Sequence, residues 1–499
     1  MIRKLYIILL SLVAASPAFS QRTLTLDECR QLAVEGNKKI AMERVKGEMT
    51  ASMRKSAKTL ALPRVSAVLG YEHFGREISI LNSSQKSMLS NLGTSLTGGL
   101  AEGLPDIIMQ MVQQGVITQQ QAQTISGMMQ QSMPEAAAAL NAVGNDVVNA
   151  FRTDSRDLFA GSVMVTQPVY MGGAINTAKE MAAITEEMSK TSYEQTRQNT
   201  IYDIDKAYWF VVQLSHKKQL ADKFVGLVGK LNADVKKCID EGVATRADGL
   251  KVSVALNEAQ MTQLQVEDGL RLSKMLICQL CGLPISTEIT LADEKISTEE
   301  LLAASALLDT DIQNTADFSN RPELQLLSHM SDMSKSAQKL IKATNRPQVL
   351  ATAGVLVSNP SIYNGFEKKF GVNWTVGIMA RIPIWDWHDT AYKLNAARAA
   401  THITELQIEE ANELIELQVS QDKFKISEAQ RKLDISEKNI EKAEENLRCA
   451  NLGFSEGVIT STDVMAAQTA WLQAETQRID AEIELVLAKL SLKKNLGKL

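Results

Sequence analysis

A duplication constrains this chain more than any other feature. Pro168 is answered by Pro383, Glu241–Val243 by Glu456–Val458, Thr245 by Thr460, Asp248 by Asp463 and Gly282 by Gly497, always 215 residues further on. A gap-free offset over that distance marks two copies of one unit, which must bury apolar surface against a twin. Upstream, Pro63 answers Pro347 at a shift of 284, so the first copy carries 69 further residues between Pro63 and Pro168. The expected division is a first repeat over 21–284, an acidic linker over 285–320 and a second repeat over 321–499. The surplus falls at about 76–152. It is rich in glutamine and methionine (Met109, Met111, Met128, Met129, Met133), poor in charge, and has helical spacing from about 105 to 149.

Each copy then runs 74 residues without a further proline, from Pro168 to Gly242 and from Pro383 to Gly457. A helix of roughly 65 residues at ~1.5 Å per residue reaches about 100 Å, too long for a compact domain to enclose. Gly242 and Gly457, followed by Val243 and Val458, suit the left-handed residue of a Schellman stop. Thr245 with Asp248, and Thr460 with Asp463, suit capping boxes that start a returning helix. Helical hairpins over about 174–281 and 389–496, with tips at 242–245 and 457–460, are therefore expected. The second returning helix shows heptad spacing through Val464, Ala467, Trp471, Ala474, Arg478, Ala481, Leu485, Ala488 and Leu492. Its counterpart runs through Gly249, Val252, Leu256, Ala259, Gln263, Val266, Leu270, Ser273 and Ile277. A solitary hairpin of this length would leave much of such a stripe in water, so partners are required.

Each copy also contains two segments that alternate with period two, as strands with two different faces do. Val372, Trp374, Val376, Ile378, Ala380 and Ile382 alternate with Asn373, Thr375, Gly377, Met379 and Arg381. Val349, Ala351, Ala353, Val355 and Val357 alternate similarly, and Val65–Tyr71 and Phe159–Val165 match in the first copy. Strands are predicted at about 63–72, 158–168, 347–357 and 372–383. Lengths near 9–11 residues suit tilted membrane strands, with Asn373, Thr375 and Arg381 facing a pore. Tyr170, Trp385 and Trp387, after the strand-ending prolines, suit an interfacial aromatic belt. The core of a soluble sandwich is the competing explanation. Four strands cannot close a barrel, and each unpaired backbone group in hydrocarbon costs roughly several kcal/mol, so several copies must pool their strands.

Arg3 and Lys4, the apolar run Leu5–Ala15 and small residues at Ala18–Ser20 read as a signal peptide over 1–20 with a mature start at Gln21. No cysteine stands there to carry a lipid anchor. Beyond Gln21 no uncharged apolar run of roughly 18 residues offers a membrane helix, which leaves β-structure for any membrane contact. Without Arg3 and Lys4 the chain has 51 basic and 58 acidic residues, a charge of −7 that argues against a nucleic-acid partner. Cys29, Cys238, Cys278, Cys281 and Cys449 are too few and too scattered for a disulfide framework. Cys278 and Cys281 read C-x-x-C but lie in a helical pattern, as buried structural thiols. His73, His216, His329, His388 and His402 are isolated, and neither a nucleophile motif nor a phosphate-binding glycine loop is present. No catalytic residue, cofactor or metal is expected, and energy for any transport must come from a partner. The insertion's methionines could ligate Cu(I), but without His or Cys beside them packing is the expected role. The acidic stretch from Leu283 to Asn320 reads as a solvated belt rather than a cation site.

The opening stretch Leu24–Ala33 (LTLDECRQLA), Asn320–Leu324 (NRPEL), the post-strand prolines and both Gly-x5-Asp tips resemble the TolC-like outer-membrane efflux proteins. The resemblance covers nearly all of the chain beyond Gln21. It implies a mainly α protein with a small β part: a homotrimer whose 12-stranded barrel, four strands from each subunit, continues into a long periplasmic α-helical barrel. The implied function is that of an outer-membrane channel in a tripartite efflux pump or type I secretion system. Such a channel is a passive duct, seated in outer-membrane lipid, for small molecules or secreted polypeptides, and it works with a periplasmic adaptor and an inner-membrane transporter. Gly242, Val243, Thr245, Asp248, Gly457, Val458, Thr460 and Asp463 would then form the tips where the adaptor docks and the aperture lies. A second acidic residue that some members carry three positions past Asp463 is Ala466 here. Asp248 and Asp463 also have a complete explanation as helix caps. The insertion falls at the family's first extracellular loop, as a lid or a partner surface. The alternative is a periplasmic structural or adhesive coiled-coil protein that does not insert.

Overall fold

A computed structural model describes residues 22–75, 80–152, 156–297, 300–301, 318, 320–364 and 367–499. The expected signal peptide and half of the acidic belt lie outside the described residues. The elements, in chain order, are β1 (Arg22–Leu24), α1 (Leu26–Gly36), α2 (Lys38–Thr59), β2 (Arg64–His73), α3 (Ser83–Ser90), α4 (Leu92–Gln113), α5 (Gln119–Ala150), β3 (Asp157–Met171), α6 (Ala174–Asp240), α7 (Arg246–Leu280), β4 (Ile289–Leu291), α8 (Pro322–Thr344), β5 (Gln348–Asn359), β6 (Gly371–Arg381), α9 (Asp389–Ser455) and α10 (Ser461–Asn495). The chain is mainly helical. It forms two compact units: a helical one through Thr59 with Gly173–Asn345 and Trp385–Leu499, and a second one of Leu60–Gly172 and Arg346–Ile384. Each repeat feeds both units, so neither repeat is a domain by itself.

In the helical unit α6 and α9 are 67 residues each and α7 and α10 are 35 each. Every one of their bounds is offset by 215. The four helices lie side by side in the order α7–α6–α10–α9. The heptad stripe of α10 explains its central place: Val464, Ala467, Trp471, Ala474, Ala481, Leu485, Ala488 and Leu492 are all buried. Arg478 interrupts the stripe and is held by Glu475 at 3.0 Å and Glu482 at 2.6 Å. Helix α2 packs on α6, and α8 packs on both α9 and α6.

The N-terminal segment is tied into this unit. Strand β1 pairs in parallel with β4, and the Thr25–Glu28 capping box starts α1. Both carboxylate oxygens of fully buried Asp205 accept from Arg30, from Nε and Nη2, at 2.7 Å each. Burial raises the Asp205 carboxyl above its usual range, and the guanidinium pulls it back. Breaking such a pair leaves an uncompensated buried charge.

In the second unit the sheet order is β2–β3–β5–β6, antiparallel throughout. Strand β3 continues three residues past the predicted end at Pro168, because a bulge between Pro168 and Tyr170 accommodates a residue with no N–H to donate. The insertion is helical from Ser83 rather than 105. Glycines masked that pattern. Gly93 and Gly144 sit where helix backbones approach too closely to leave room for a Cβ, against Ala137 and Leu89.

Arg30→Ala should cost about 3–5 kcal/mol by leaving the Asp205 carboxylate unpaired. A lower denaturant midpoint for the purified protein is the expected readout, and an unchanged midpoint would contradict the pairing described.

Candidate functional site

The sheet register sorts side chains onto two faces. Directly opposed pairs include Val65↔Val165, Ala67↔Val163, Leu69↔Gly161 and Tyr71↔Phe159. The same face continues through Val163↔Val355 and Val165↔Ala353, then Val355↔Trp374, Ala353↔Val376 and Ala351↔Ile378. One apolar surface therefore crosses all four strands. Trp374, Val376 and Ile378 are more than 70% exposed there, at 73, 73 and 77%. The opposite face carries Arg64, Ser66, Ser162, Thr166, Thr352, Asn373, Thr375 and Arg381, with Met164, Leu350 and Met379 among them. The predicted pore-facing residues Asn373, Thr375 and Arg381 thus share one side.

Strands β2 and β6 are the open edges of this sheet. The helical unit has open edges of its own. Met42, Val45, Met49 and Met53 form an exposed stripe on α2, whereas Leu326, His329, Met333 and Ala337, their counterparts 284 residues on in α8, are half-buried. The outermost long helices also expose apolar side chains, Leu250, Val254, Met261, Leu264 and Leu272 on α7 and Ile403, Leu406, Leu417 and Phe424 on α9.

Tyr170 lies past the bulge of β3, half exposed, and pairs with Val349. Trp385 and Trp387 are 67 and 81% exposed, with rings edge-to-face at 5.8 Å. Between them Asp386 accepts from the backbone N–H of His388 and of Thr390, at 3.1 Å each, and starts α9.

The two hairpin tips are built alike. Gly242 and Gly457 have φ of 76° and 72° with open space around them, so the left-handed backbone alone selects glycine. Val243 N–H donates to Cys238 O and Val458 N–H to Gly453 O, both at 2.8 Å, closing two Schellman motifs. Thr245 Oγ1 and Thr460 Oγ1 accept from the Asp248 and Asp463 N–H groups at 3.2 and 3.3 Å, and both carboxylates reach back to their threonines. The threonine hydroxyls, then the backbone N–H groups, hold both carboxyls below the usual aspartate range, so they are ionised at neutral pH. Val243 and Val458 are each 78% exposed. Ile239, Phe454 and Ile459 pack in one cluster with Trp471, which sets both tips at one end of the helical unit.

Sequence reasoning missed a third tip. The insertion turns from α4 to α5 through Gly115 at φ 74°, with Val116 N–H donating to Met111 O at 3.0 Å and a capping box from Thr118 to Gln121. The signal was available, since Gly115–Thr118 and Gly457–Thr460 share the sequence GVIT. Gln121 is neutral where the other tips place an aspartate.

Among the described residues no three His, Cys, Asp or Glu side chains gather as metal ligands, and no helix is long and apolar enough to cross a membrane. The geometry instead defines a four-stranded sheet with two unpaired edge strands, and a helical unit with apolar stripes left exposed. Residues 318–498 match the model of the family described as outer membrane efflux protein. No curated protein matches the chain in sequence. Solved structures show the fold over almost the whole length. The outer membrane protein VceC from Vibrio cholerae is similar at TM-score 0.68 and 12% identity, over 95% of this chain and 96% of that one. The Campylobacter jejuni CmeC outer membrane channel gives 0.67 and 10% over 95 and 85%, and the Neisseria gonorrhoeae MtrE outer membrane channel 0.65 and 14% over 95 and 88%. By sequence the second repeat is similar to the outer membrane efflux protein family, and the chain as a whole has the fold of these outer membrane channels.

An arginine on the two faces of β6 should behave oppositely. Val376→Arg places charge in lipid at a cost of about 2–4 kcal/mol near the midplane and should reduce the assembled, heat-modifiable fraction in outer membranes, while Thr375→Arg should not. Equal effects would contradict the assignment of faces.

Proposed function

We propose that this chain is the outer-membrane subunit of a tripartite efflux pump or type I secretion system, a passive duct whose driving energy comes from an inner-membrane transporter. The apolar face continuous over four strands, exposed and ending in two unpaired edges, carries this reading. Water does not tolerate such a face, and lipid does not tolerate such edges. A periplasmic coiled-coil protein would have no use for either.

Closure follows from the repeat. Under the sequence shift β2 corresponds to β5 and β3 to β6, while α6 corresponds to α9 and α7 to α10. The contact β3–β5 within one chain therefore maps onto β6 against the β2 of a neighbour. The contact α6–α10 maps onto α9 against the neighbour's α7. These are the edges left open, and a head-to-tail contact of this kind closes into a ring where the rotation per copy divides a full turn. Three copies supply a 12-stranded barrel.

Strand order gives the ducts two ends distinct surfaces. The insertion and the β5–β6 loop leave the sheet at the same end, since Asp157 pairs with His73 and Phe159 with Asn359. With the helices in the periplasm, that end opens outside the cell and the insertion caps it. At the hairpin tips Gly242, Val243, Thr245, Gly457, Val458 and Thr460 meet the periplasmic adaptor, and Asp248 and Asp463 set a ring of negative charge at the aperture. Tyr170, Trp385 and Trp387 sit at a membrane interface.

Asp463→Ala should weaken cation selectivity and alter the single-channel current of the purified assembly in planar bilayers. An unchanged current and selectivity would remove the aperture role, and a wild-type protein that fails to conduct at all would remove the channel.

A further inference from the structure

Three of the five cysteines, distant in sequence, share one buried cluster with Leu24, Tyr208 and Leu301. Cys29 lies on α1, while Cys278 and Cys281 lie at the end of α7. The two helices are locked where they meet. Asn37 Nδ2 donates to Leu280 O at 3.0 Å, and Gly36 and Gly282 touch backbone to backbone with no room for a Cβ on either. Two turns back along α1 from that contact, the Cys29 thiol faces Cys281. Cys281 Sγ donates to Cys29 O at 3.6 Å, and the neighbouring Cys281 thiol is the largest of the influences that push the Cys29 thiol up. Cys278 turns elsewhere and donates to Thr287 O at 3.5 Å. Cys29 and Cys281 are 0 and 2% exposed, in a seam whose backbone spacing is fixed on both sides.

We propose that Cys29 and Cys281 are joined by a disulfide in the exported protein, stapling the N-terminal segment to the end of the first hairpin. The proposal rests on the outer-membrane reading, which places the chain in an oxidising compartment. Two S–H bonds here and the S–S bond of a periplasmic thiol–disulfide oxidoreductase break; one S–S bond forms here and two S–H bonds form on the oxidoreductase, which takes up both electrons and, through solvent, both protons by way of a mixed disulfide. Both sulfurs are sealed in the folded chain, so the exchange takes place before α1 closes on α7. The staple belongs to the first repeat alone: 215 residues on, Lys493 and Leu496 stand in place of Cys278 and Cys281. The second repeat has no free N-terminal segment to secure.

The test uses full-length protein recovered from the outer-membrane fraction of expressing cells, acid-quenched, denatured and alkylated with N-ethylmaleimide without reductant. Peptide mass spectrometry should show Cys238, Cys278 and Cys449 labelled, with Cys29 and Cys281 unlabelled in one linked peptide that reduction separates. Reductant should lower the melting temperature of the wild type by about 5 °C and leave Cys29→Ser unchanged. Cys29→Ser/Cys281→Ser should melt no lower than either single variant. Five labelled thiols in outer-membrane protein, or a Cys29–Cys278 link, would overturn the disulfide and leave the channel reading standing. Protein retained in the cytoplasm would overturn both.

Discussion

A strand edge carries a row of N–H and C=O groups, and in hydrocarbon nothing but another strand can satisfy them, at roughly several kcal/mol for each group left bare. This chain has two such edges, β2 and β6, on a sheet whose other boundary is an apolar face already suited to lipid. Four strands are too few to bend round and meet one another. The remainder of the molecule is organised around that deficit. The exposed stripe of α2 and the bare apolar flanks of α7 and α9 are the same incompleteness expressed in helices, and under the proposed assembly a single kind of neighbour resolves all of them.

The duplication makes that neighbour available without a new interface. A contact already made inside the chain, repeat one against repeat two, needs only to be made again between chains with the repeats exchanged. The packing that buries Leu326 and Met333 of α8 within one protomer is the packing that Met42 and Met49 of α2 await. The structure is in this sense built from two near-equivalent halves. The insertion distinguishes one half from the other in the sheet-bearing unit, and the cysteine seam distinguishes them in the helical unit.

Much of this was legible in residue spacing. The proline-free runs, the glycine at each turn and the threonine–aspartate pairs fixed the long hairpins, because helix stops and caps depend on local chemistry that a sequence displays directly. The β6 alternation displayed its two faces for the same reason. Tertiary proximity was not displayed. Cys29 and Cys281 look scattered because 252 residues separate them, and only the fold, through the Gly36–Gly282 contact and the Asn37–Leu280 hydrogen bond, brings their helices together. The insertion's helices were foreshortened because Gly93, Gly98, Gly99 and Gly103 weaken the helical pattern before residue 105, although Gly93 is a packing contact and the other three face open space. Its tip was overlooked although it repeats four residues of the second hairpin, since the offset that organised the rest of the chain does not pass through it.

The most direct measurement is the number of chains in the conducting particle, by native mass spectrometry of protein extracted unheated from outer membranes and checked for conductance in bilayers. Three copies in every active particle are expected. A single unassociated chain that inserts and conducts would contradict the claim that neighbours complete the wall.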